Sequence, residues 1–94
     1  MVKGTEKLIL TAVGNNRMGV LGELTGKIGE LNGNIMDISQ KMMEKKFHLL
    51  MEIELSGKKI SFARFKEEME KLGEKNNYKV SVVHEKIFRY MHRI

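Results

Sequence analysis

The chain has 94 residues, 41% hydrophobic and 31% charged, with a formal net charge of +5 and no cysteine. That length suits one two-layer core and leaves no room for an enzyme domain with an accessory module, and the composition excludes a disordered chain. The lack of cysteine excludes disulfides, thiolate nucleophiles and thiolate metal sites, and lysines interleaved with glutamates make the excess charge a solvated surface rather than a nucleic-acid stripe.

The chain shows neither an apolar signal-peptide core nor a run of membrane-spanning length, so a cytoplasmic protein without nucleic-acid or membrane partners is expected. Lys7 to Val13 is short, apolar and followed by Gly14, the pattern of a buried strand. The run Gly14-Asn15-Asn16-Arg17-Met18-Gly19-Val20-Leu21 must then turn sharply. Main-chain N–H groups at such a helix entrance can receive a carboxylate or another small anion. From Met18 the period becomes helical, with Leu21, Leu24, Ile28 and Leu31 facing a core and Glu23, Lys27 and Glu30 facing water. Asn32-Gly33-Asn34 ends this helix, with Gly33 expected in the left-handed conformation.

Ile35 to Met43 alternates as a strand, with Met36, Ile38 and Met42 on one side and Asp37, Ser39 and Lys41 on the other. Glu44-Lys45-Lys46 is a polar break without glycine. Phe47 to Leu55 alternates again, its odd-numbered residues apolar, and Ser56-Gly57-Lys58-Lys59 closes it. Phe62, Phe65, Met69 and Leu72 define a second helix with Ser61 as its N-cap. Asn76-Asn77 precedes a last strand, Tyr78 to Val83.

The order β-α-β-β-α-β predicts an α+β, ferredoxin-like sandwich: a four-stranded antiparallel sheet with two helices on one face. A single domain over residues 1–94 is expected, with its core at about 7–83 and a helical tail at about 84–94. In that tail Ile87, Met91 and Ile94 fall at helical spacing beside Phe88, opposite Arg89 and Arg93. A helix this short is unstable alone, so its apolar side is expected to dock, foremost on the open face of this chain's own sheet.

The loop, the helix and the Asn34-Ile35 pair opening the second strand together resemble the ACT domain family. The resemblance is nearest to small stand-alone ACT proteins of undefined role and to the ACT modules of formyltetrahydrofolate deformylases and glycine-cleavage regulators. It spans about Lys7 to Val83. It implies a non-catalytic regulatory module that binds an amino acid or similar metabolite between two subunits and signals to a separate effector protein. Asn15, Asn16, Arg17, Met18, Gly19, Val20, Asn34 and Ile35 would form the site, Asn34 facing a neighbour's loop, with no cofactor and no metal. Asn16 stands where the family tends to have Asp, and Met18 where it tends to have Pro; the first change removes a negative charge that could hold an ammonium group. The alternative is a structural or protein-interaction module whose ligand site is vestigial.

Other uses of the same topology fit less well. An RNA-recognition motif needs stacking aromatics, and Lys46-Phe47-His48-Leu49-Leu50 supplies one. Arg17 and Asn34 superficially suit an acylphosphatase, but the glycine-rich pattern around them differs. His48, His84 and His92 lack ligand spacing, and the eight methionines fit core filler better than a binding groove. The unpaired sheet edges predict a homodimer, joined side by side through Ile35–Met43.

Overall fold

The computed structural model describes residues 5–16, 18–56 and 59–91. In chain order they form β1 (Thr5–Asn15), α1 (Val20–Glu30), β2 (Gly33–Met43), β3 (Lys46–Ser56), α2 (Phe62–Asn76), β4 (Tyr78–His84) and α3 (Glu85–Met91). The four strands make one antiparallel sheet in the order β2-β3-β1-β4, the expected βαββαβ arrangement with a C-terminal helix. Central strand β3 pairs on both sides and buries every second residue: Phe47, Leu49, Met51, Ile53 and Leu55. These meet Leu8, Leu10 and Ala12 of β1, Val80 and Val82 of β4, Val20, Leu24 and Ile28 of α1, and Phe65 and Met69 of α2 in one core. The Lys27 ammonium lies 3.5 Å from the Glu68 carboxylate and ties α1 to α2. Desolvation pushes the Glu68 carboxyl up, but Lys27 and Arg64 outweigh it and hold the group below the usual carboxylate range.

Several boundaries differ from the sequence expectation, each for a local reason. Gly14 does not end β1. It pairs with both Phe47 and Tyr78, whose rings meet edge to face at 5.8 Å, and a Cβ there would lie 2.6 Å from that of Tyr78. Helix α1 starts at Val20 rather than Met18, so Val20 takes the first core position and Leu21, about 100° round the helix, is 37% exposed. At the C-terminal end of α1, Asn32 adopts the left-handed conformation (φ 65°), not Gly33. Gly33 already belongs to β2, where a Cβ would come within 2.7 Å of Ile28 Cγ2. The glycine-free hairpin between β2 and β3 turns through Glu44 at φ 57°. Ser61 caps α2 as expected, its Oγ accepting a hydrogen bond from the Arg64 N–H at 3.1 Å.

A bulge in β2 separates Ile35, opposite Ile53, from Asp37, opposite Glu52. Met36 is the extra residue and has no cross-strand partner, so it does not simply share a side with Ile38 and Met42. Ile35 before the bulge and Ile38, Gln40 and Met42 after it lie on the helix side, and Asp37, Ser39 and Lys41 lie on the open side.

Helix α3 lies against β1 and β4. By register Ile9 belongs to the open face, yet it is only 4% exposed, so this corner of the face is covered. The docking is narrower than the tail's spacing suggests. Phe88 is half-buried, whereas Ile87 and Met91 are 52% and 58% exposed, and Arg93 and Ile94 lie outside the described residues.

Two outcomes follow for stability. Gly73→Ala should destabilise by about 1–3 kcal/mol, because its Cβ would meet the Tyr78 carbonyl oxygen at 2.6 Å, while Gly26→Ala, with nothing within 4 Å, should stabilise by up to about 1 kcal/mol. In the tail, Phe88→Ala should lower stability by about 1–2 kcal/mol and Ile87→Ala by about 0.5 kcal/mol or less; urea denaturation measures all four.

Candidate functional site

The turn between β1 and α1 is shorter than the glycine-rich run suggests, because Asn15 still pairs with Lys46 in the sheet. The Asn15 Oδ1 accepts a hydrogen bond from Lys46 Nζ at 3.4 Å, and the Asn16 N–H donates to the Lys45 carbonyl at 2.7 Å. These contacts fasten the loop to the β2–β3 hairpin. Met18 is 92% exposed, and Arg17 lies outside the described residues.

Gly19 closes the loop at φ +88°, a conformation that glycine adopts without a Cβ penalty. Its carbonyl accepts from the Glu23 N–H at 2.9 Å and so starts α1. A glycine cap has no side-chain oxygen, and no side-chain cap hydrogen bond forms. The first turn of α1 therefore has no capping side chain at its N-cap, and the positive end of the helix dipole lies there.

Beside this cap is a depression of about 180 Å³, lined by Asn16, Gly19, Val20, Leu21, Gln40, Phe47 and Leu49. Val20, Phe47 and Leu49 are buried and Leu21 stands at the rim, while Asn16 and Gln40 bring amide side chains that both donate and accept hydrogen bonds. The lining has no hydroxyl, thiol, imidazole or carboxyl group. Its described residues offer amides and apolar contact for recognition.

The expected site residues thus separate into two groups. Asn16, Gly19 and Val20 line the depression, with Asn15 and Met18 in the adjoining chain. Asn34 and Ile35 sit at the far end of β2, opposite Glu54 and Ile53, about 20 Å along β3 from Phe47. There the Asn34 Nδ2 donates to Met36 Sδ at 3.3 Å, and Ile35 packs on the core. Leu21, Gln40, Phe47 and Leu49 complete the depression and are not among the expected site residues. Gln40 carried one signal, an amide at a position where Ile38 and Met42 continue the apolar alternation.

A wider groove of about 610 Å³ runs past Gly73, Asn77 and Lys79 beside β4, and includes only Asn15 of the expected residues. Among the described residues no group of three or more His, Cys, Asp or Glu could hold a metal ion, and no helix is long and apolar enough to cross a membrane. His84 stacks on Phe62 with ring centroids 4.0 Å apart, a packing role.

Comparison with known proteins agrees with the fold. A family model described as the ACT domain matches residues 6–83. A UPF0237 protein of Methanocaldococcus jannaschii is 40% identical over 88 residues, covering 94% of this chain and 98% of the relative. An ACT domain protein from Streptococcus pneumoniae superposes with a TM-score of 0.77 at 34% identity, covering 88% of this chain and 93% of its own. A formyltetrahydrofolate deformylase from Pseudomonas putida shares the fold at a TM-score of 0.73 and 15% identity, over 83% of this chain and 28% of that one.

The cap also sets what the loop tolerates. Gly19→Val should destabilise by about 1–2 kcal/mol or more although its Cβ has open space, because the strain is in the backbone, and Gly19→Asn should lose less. Thermal and urea unfolding measure both; equal stability for the valine variant would mean that Gly19 is not held at positive φ.

Proposed function

The chain belongs to the ACT domain family, whose members are small-ligand-binding regulatory modules, and from that membership we propose that it is a non-catalytic sensor of an amino acid or similar small metabolite, bound where two copies meet. The observation that carries this reading is the separation of the site residues along β2. This strand is a sheet edge, so its outer main-chain groups have no partner in the sheet. If two copies pair antiparallel through β2, the Asn34 end of one strand comes beside the Gln40–Met43 end of the other, and the partner copy's Asn34 approaches the depression at Gly19. Half a site then becomes a whole one.

The surface along that edge supports the pairing. Ile38 and Met42 are 39% and 46% exposed on the helix side of β2. Because Lys27 points α1 at α2, the flank of α1 turned towards the edge carries Leu21, Gly22, Thr25 and Gly29. That flank has no charge and little bulk, so two α1 helices can approach closely as the sheets join.

In this site the first-turn N–H groups of α1 would take the ligand carboxylate, and the amides of Asn16, Gln40 and the second copy's Asn34 would take its ammonium group. Val20, Leu21, Phe47 and Leu49 would meet an apolar side chain. The bound state would be read by a separate effector protein. The alternative, an interaction module with a vestigial site, draws on Asn16: its side chain is uncharged, and its main-chain N–H already serves the Lys45 carbonyl.

A thermal-shift screen against the twenty amino acids separates the two. An amino acid at about a hundred times its dissociation constant adds roughly 2.7 kcal/mol of stability, and that shift should fall in Leu21→Glu together with the dimer mass in light scattering. No shift with any amino acid would leave the interaction module as the better reading.

A further inference from the structure

Register places the side chains of the open sheet face in rows. One row holds Asp37 of β2, Glu52 of β3 and the covered Ile9 of β1. The next positions on this face are neutral: Ser39, Leu50 and Thr11. The row beyond holds Lys41, His48, Val13 and, on β4, Lys79. Acid is thus paired with acid across β2 and β3, and Lys41 lies opposite His48. Like charges directly opposite on a sheet are unfavourable, and among the described residues no ion pair links one row to the other. Helix α3 takes up the Ile9 corner, leaving Asp37, Ser39 and Lys41 exposed and Val13 38% exposed. A shallow hollow of about 290 Å³ lies between the neutral and basic rows, lined by Thr11, Ser39 and Leu50 of the first and Val13, Lys41 and His48 of the second.

We propose that the β2–β3 part of this open face is a contact between two copies of the chain, related by a two-fold axis along the Ser39–Leu50–Thr11 row. The acidic row is one step to one side of that axis and the basic row one step to the other. A half-turn about it lays Asp37 and Glu52 of one copy over Lys41 and His48 of the second, and the reverse, while the Leu50 side chains meet at the centre. The face is complementary to itself in this inverted orientation and repels itself in the parallel one. Packed sheets stand about 10 Å apart, within joint reach of a glutamate and a lysine. This contact uses the sheet face, not the β2 edge, so it stands whether or not the edge dimer forms and doubles the mass of whatever the edge forms.

The experiment is a charge exchange read by light scattering at low ionic strength. Asp37→Lys sets lysine opposite Glu52 and removes a like-charge pair within the sheet, and Lys41→Glu sets glutamate opposite His48, so neither change should lower the melting temperature of the dissociated chain. Each variant alone should have half the parent's mass, with association weakened by about tenfold or more, because lysine then faces the basic row, or glutamate the acidic row, of a second copy of the same variant. An equimolar mixture should recover the parent's mass, since the lysine introduced in one variant then faces the glutamate introduced in the other and the second contact is unchanged. Variants that keep the parent's mass, or a mixture that fails to recover it, overturn the proposal. In the second case the rows serve an unrelated partner.

Discussion

The alternation of β3 is the constraint on which the rest of the molecule depends. It is bonded on both sides, and Phe47, Leu49, Met51, Ile53 and Leu55 all point beneath the helices. A slip of one residue would turn all five to water and bring Glu52 and Glu54 into the core, so the register is held by far more free energy than any surface contact supplies. With β3 set, Phe47 must lie opposite Gly14, the Lys45 carbonyl must meet the loop at Asn16, and the two charged rows must fall either side of Leu50. The depression at Gly19 and the polarity of the open face are both consequences of one strand's packing.

The bulge at Met36 is the second controlling feature. Ile35 and Ile38 lie three apart yet share the helix side, which plain alternation forbids. Inserting one residue keeps Ile35 on the core while Asp37, Ser39 and Lys41 remain on the open face. Without it one half of β2 would present its apolar residues to the wrong layer. The bulge also places Gln40 on the helix side, where it reaches the loop from the strand that is free to pair outward.

Much of this was legible in the residues, and the failures share a cause. Alternation in β3, helical spacing in α1 and α2, and the Ser61 cap report local preference, and local preference decided them. Gly14, Gly33 and Val20 were misjudged because their roles are set by neighbours distant in sequence. Gly14 is excluded from bearing a side chain by Tyr78, and Gly33 lies in a strand against Ile28, leaving the left-handed turn to Asn32. The tail failed in the same way: its apolar spacing is real, but only Phe88 among Ile87, Phe88 and Met91 is turned towards the sheet. For the loop, glycine and asparagine signalled a sharp turn without revealing that Gln40 would close it, since that depends on which strand becomes the edge.

Helix α1 shows where stability gives way to surface. Gly22, Gly26 and Gly29 recur on its outer side, and an added Cβ at any of them would meet nothing within 4 Å. Among the described residues nothing requires them, although each lowers helix stability by about 1 kcal/mol relative to alanine. Gly73 in α2 is different, because Tyr78 and Val80 leave no room for a methyl group. Of the three in α1, Gly22 and Gly29 lie on the flank that borders the edge at β2, continuous with Leu21 and the depression at Gly19. In the edge pairing proposed above, close approach of a second helix would give Gly22 and Gly29 a physical reason that the isolated fold does not.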